Sequence, residues 1–79
     1  MFIAYTDDNK RCALANLDKF SEIKIRISGN TYTVVGISDY GNSDLCLFKS
    51  TNPDRCNTII HEISVALRNG AGDYTIPKN

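Results

Sequence analysis

Apolar and polar residues alternate most regularly near the start of the chain's second quarter, where Ile23, Ile25 and Ile27 are separated by Glu22, Lys24, Arg26 and Ser28. β-Branched residues at a period of two predict a strand with one buried face and one wet face. Gly29-Asn30 suits the positive φ of a two-residue turn, and residues 31–38 resume the strand. In that register Ile27 faces Tyr32, Ile25 faces Val34 and Ile23 faces Gly36. On the other side Arg26 faces Thr33, Lys24 faces Val35 and Glu22 faces Ile37. Val35 and Ile37 on this polar side require either a bulge or a cover, supplied by the chain itself or by a second subunit.

The remaining elements follow from shorter signals. Residues 2–6 and 12–17 are apolar stretches divided by Asp7-Asp8-Asn9-Lys10-Arg11, a turn-rich cluster, and predict a first hairpin. Residues 39–43 predict a loop and residues 44–49 another strand. The period then changes. Cys56, Ile59, Ile60, Ile63 and Leu67, with Ala66 at the edge, fall at helical spacing. Asn52 suits an N-cap, Pro53 the first helical position, and Asp54 the positive end of the dipole. Arg68 and Gly70 supply the stop, and Tyr74-Thr75-Ile76 a short last strand ended by Pro77. The expected architecture is α+β: one small, mostly antiparallel sheet of five to six strands, with one C-terminal helix packed on one face, forming a single domain over residues 1–79.

Composition narrows the function. A 79-residue chain buries only about 60% of its unfolded surface, so a second copy or another partner would reinforce its core. Nine Lys/Arg balance nine Asp/Glu, which argues against a strong electrostatic grip on nucleic acid or on an anionic membrane. The start carries two Asp at positions 7 and 8 rather than a long apolar stretch, and no run approaches bilayer length, so no membrane association is expected. Three cysteines, Cys12, Cys46 and Cys56, without a C-x-x-C pair fit a reducing cytoplasm and read as small buried hydrophobes.

Each candidate for chemistry has a simpler reading. His61, the single histidine, groups with Asp54, Thr58, Val65 and Arg68 on the helix face away from the apolar stripe. Nothing in the spacing brings a nucleophile and an acid to it. Cys56 and His61 diverge by about 140° around a helix, so they do not share a zinc ion. Asp39-Tyr40-Gly41-Asn42-Ser43-Asp44 lacks the ligand alternation of a calcium loop. Asn69-Gly70-Ala71-Gly72 follows a helix instead of preceding one, which is where a phosphate cradle would sit. Lys24 and Arg26 with Tyr5, Tyr32 and Tyr40 hint at a single-strand platform, but Tyr32 lies on the face opposite Lys24. No catalytic residue, metal or cofactor is therefore expected. The residues left as a candidate interface are Lys24, Arg26, Val35 and Ile37 on the sheet and His61, Val65 and Arg68 on the helix.

Three stretches resemble the short uncharacterised proteins carried by phages and prophages of Gram-positive bacteria. These are Asn16-Leu17-Asp18-Lys19-Phe20-Ser21-Glu22-Ile23, then Tyr32-Thr33-Val34-Val35-Gly36-Ile37, and a tail in which Ile59-Ile60-x-x-Ile63 runs to Leu67, Asn69-Gly70 and Tyr74-x-Ile76-Pro77. The resemblance implies a cytoplasmic accessory protein that binds a host factor, one in antiviral defence being an example, and it brings no catalytic residues. The expected function is a non-enzymatic binding module with a protein partner, a second copy of the chain included. The alternative is a homo-oligomer holding a small ligand such as a signalling nucleotide, with Lys24, Arg26, Arg55 or Arg68 on its phosphates. A single-stranded nucleic-acid binder ranks below both.

Overall fold

The computed structural model describes residues 1–38 and 44–77; the loop expected at residues 39–43, with Tyr40 and the calcium-like pattern, lies outside the described residues. The order is β1 (Phe2–Thr6), β2 (Cys12–Asn16), a 3-10 turn (Leu17–Lys19), β3 (Phe20–Ser28), β4 (Thr31–Ser38), β5 (Asp44–Ser50), α1 (Pro53–Arg68) and β6 (Asp73–Thr75). The fold is α+β with one C-terminal helix among the described residues, as the periodicities predict.

The strands do not form one sheet. They form two three-stranded sheets, β2-β1-β6 and β3-β4-β5. The break falls at Leu17–Lys19, where the Asn16 side chain accepts a hydrogen bond from the Asp18 N–H at 3.0 Å and turns the chain out of its strand. Leu17, expected at the end of a strand, belongs to that corner instead. The side of β1 away from β2 is then taken by β6 in a parallel pairing, with Ile3 beside Tyr74.

The β3–β4 hairpin has the register set out above, from Ser28 opposite Thr31 to Glu22 opposite Ile37. Two irregularities shape this sheet. Between Phe20 and Glu22 the pairing shifts, leaving Ser21 as an extra residue and turning Phe20 to the helix side. There the Phe20 ring packs against Gly36, where an added Cβ would come within 2.8 Å of ring carbon Cε2. On β5 the shift between Val34 and Val35 leaves Leu47 unpaired. That bulge delivers both Leu47 and Phe48 to the core, at 1% and 6% exposure, where strict alternation would bury only one.

Helix α1 starts where Asn52 accepts from the Asp54 N–H and ends with Gly70 at φ +71°, its last carbonyls bonded by Gly70 and Ala71. Cys56, Ile59 and Ile63 face inward, and Ile60 is half-buried. Leu67, expected within the apolar stripe, is half-exposed on the rim of a groove it shares with Leu17 and Phe20. One cluster, including Ile3, Val34, Leu47, Cys56, Ile59 and Ile76, joins the two sheets and the helix into a shared core.

Candidate binding cleft

A concavity lies between the two sheets, where the turn joining β1 to β2 faces β5 and the tail that follows β6. Its volume is ≈ 500 Å³. One wall is a short turn organised by Asp7. The Asp7 carboxylate accepts from the Asn9 and Arg11 N–H groups, both at 2.9 Å, and the Asp7 carbonyl accepts from the Lys10 N–H. Lys10 closes the turn at φ 61°, the left-handed conformation that usually recruits glycine. The opposite wall carries Cys46 and Lys49, and the floor is Leu47, Phe48, Ile76 and Pro77. Lys49 Nζ reaches Asp8 Oδ1 at 3.8 Å, so an exposed ion pair links β5 to the turn. The cleft thus has an apolar floor under a rim of both charges.

Two thiols face this space, and neither matches the expectation of three small buried hydrophobes. Cys12 is exposed and Cys46 half-buried; only Cys56 is enclosed. Burial pushes the Cys46 thiol up from its ordinary value, and Asp8 adds to that, while Lys49 and the Phe48 backbone N–H pull the other way. Cys46 is therefore a protonated thiol at neutral pH, and a nucleophile needs thiolate. Cys56 is raised chiefly by burial, and its Sγ–H is directed at the Tyr32 carbonyl at 3.5 Å.

The candidate interface residues fall into two groups. Lys24, Arg26, Val35 and Ile37 share the outer face of β3-β4-β5, as the register requires. Arg26 forms an ion pair with Asp44 that runs from β3 to β5 across β4, with Val35 between them. Val35 is only 5% exposed and Ile37 half-buried, so the cover that this face needed comes from the chain itself. Lys24 and Glu22 approach within 4.0 Å beside them. His61 and Arg68 are exposed on α1 and Val65 is half-buried, but α1 packs on the other side of the sheet.

The cations assigned to a nucleotide are also dispersed. Arg55 lies over the Phe48 ring, 5.8 Å from its centroid. Arg68 is about 20 Å further along the same helix at 1.5 Å per residue. Tyr32 and Tyr5 pack toward the core, away from Lys24.

Comparison with protein-family models, curated proteins and solved structures finds no match to this chain. Among the described residues, no helix is long and apolar enough to cross a membrane, and no group of three or more His, Cys, Asp or Glu could hold a metal ion. The residues of the cleft escaped the sequence reading for a simple reason. Asp7 to Arg11 announces a turn, but nothing local tells that the turn will face Lys49.

Proposed function

We propose that the chain is a non-enzymatic binding module, a small cytoplasmic accessory protein of phage type that binds a protein of its host cell and modulates it. The observation that carries this reading is the cleft with the sheet face beside it. Cys12 lines the cleft, and on the same strand Leu14 is 70% exposed. Phe2, on the adjoining strand, is 49% exposed and projects from the same face, since Phe2 pairs with Asn16 and Leu14 with Ala4. Large apolar side chains beside an apolar-floored cleft with a mixed-charge rim have the makeup of a protein contact: an apolar centre and a polar edge.

The test is affinity capture from bacterial lysate with immobilised wild-type chain and with Leu14→Asp. A host protein held in stoichiometric amount by the wild type and lost from Leu14→Asp is the expected result. Equal capture by both, or turnover of a nucleotide or peptide by the purified chain, would overturn it. The cleft's volume gives a second reading, a small ligand, because ≈ 500 Å³ lies within the range of small-molecule sites. A thermal shift with a nucleotide panel that is lost in Lys49→Ala would favour that reading over the first.

A further inference from the structure

Strand β3 is nine residues long and, among the described residues, has a neighbour on one side only. Which of its backbone groups are left over follows from the turn. Ser28 and Thr31 flank a two-residue loop, and such a closing pair exchanges both of its hydrogen bonds. Alternate residues then bond to β4 at Arg26, Lys24 and Glu22, so the N–H and C=O of Ile23, Ile25 and Ile27 point outward along the edge. Ile27 is also 68% exposed. An exposed edge of this length offers a template to another strand, and its charged residues Glu22, Lys24 and Arg26 restrict which strand it accepts.

The edge's charges say which strand. We propose that β3 pairs antiparallel with β3 of a second copy about a twofold axis at Lys24, joining the two β3-β4-β5 sheets into one six-stranded sheet. A twofold axis normal to the sheet keeps inner faces with inner faces, which restricts the registers to steps of two. Centring on Ile25 would set Lys24 against Arg26 twice. Centring on Lys24 sets Glu22 of each copy against Arg26 of the other, two opposite-charge cross-strand pairs. It also lets Ile23 and Ile25 of each copy exchange backbone hydrogen bonds with Ile25 and Ile23 of the other. Arg26 keeps guanidinium donors to spare beside Asp44. The bulge at Ser21 ends the pairing there.

An apolar groove of ≈ 290 Å³, lined by Leu17, Phe20, Ile60 and Leu67, opens beside Ser21 at the same edge. Ile27 of the second copy arrives opposite Ser21, at the mouth of that groove, so both exposed apolar residues of this edge, Ile27 and Leu67, gain cover. The one unfavourable contact is Lys24 against Lys24 on the axis. This surface is the opposite edge of the sheet from the cleft at β5, so it does not depend on the cleft's role.

The experiment is molar mass by light scattering over a concentration series, for the wild type, Glu22→Lys and Lys24→Thr. Both substitutions are at exposed positions, and circular dichroism checks that each variant folds. The wild type is expected to approach twice the 8.8 kDa chain mass as concentration rises. Glu22→Lys should weaken the dimer at least about tenfold, and Lys24→Thr should tighten it by about the same factor. A mass fixed at 8.8 kDa in the wild type and in Lys24→Thr would overturn the proposal. So would a dimer that responds to neither substitution.

Discussion

The two sheets are built on opposite principles. In β3-β4-β5 each strand pairs with its neighbour in sequence, and the β3–β4 register follows from a two-residue turn. In β2-β1-β6 the central strand is the first element in sequence and its parallel partner the last described one, with Phe2 beside Asp73. Such a pairing needs about seventy residues of chain brought round before it returns any stabilisation. The local sheet is therefore self-specified, while the end-to-end sheet depends on the core beneath it. The cleft lies where the two meet, so its shape depends on both.

Several substitutions would break or sharpen this contrast. The largest effect is expected at Ile3, fully buried in the centre of the end-to-end sheet. Ile3→Ala should cost about 2–5 kcal/mol in urea unfolding, against at most about 0.5 kcal/mol for Ile27→Ala. Equal losses would mean that the first sheet is not the dependent one. Next is Gly36→Val, which forces a side chain into the Phe20 ring and should cost about 1–3 kcal/mol by the same measurement. A neutral result would show that Phe20 swings aside freely.

Tyr74 gives the end-to-end sheet a pH signature. Its hydroxyl donates to Glu62 on α1. Burial first, then that hydrogen bond and the Glu62 charge, raise its pKa above the ordinary 10.0. The folded chain thus holds this proton longer than the unfolded chain. Its contribution is present below pH 10 and is lost as pH rises beyond it. Tyr74→Phe should cost about 1 kcal/mol at neutral pH and leave a flatter alkaline limb in thermal unfolding. An alkaline limb as steep as that of the wild type would show that the Tyr74 hydroxyl is neither buried nor held by Glu62 in solution. The smallest effect is expected for Arg26→Ala. It removes a partly exposed ion pair and should cost under about 1 kcal/mol, with the main consequence being greater exposure of Val35.

The same contrast explains what the sequence made legible. The β3–β4 register, the Asn52 cap, Pro53 and the Gly70 stop are written in residues that act on their neighbours. The division into two sheets was hidden because it turns on Asn16 capping three residues and on β6 finding β1 from the far end of the chain. Leu47 and Phe48 could not be told apart as inward and outward, since a bulge buries both. The exposed outer face looked incomplete because Asp44, which meets Arg26, lies on a strand beyond the hairpin. The cleft needed the meeting of a turn and a strand nearly forty residues apart, and Asp7, Lys10 and Lys49 carry no mark of it.

The central functional claim is that a protein partner is held at the cleft and the β1–β2 face. Hydrogen–deuterium exchange of the chain, with and without the protein captured from lysate, tests it most directly. Slowed exchange confined to the turn from Asp7 to Arg11, to β2 and to β5 is the expected result. Slowed exchange confined to the β3–β4 hairpin, with the turn and β2 unchanged, would contradict it.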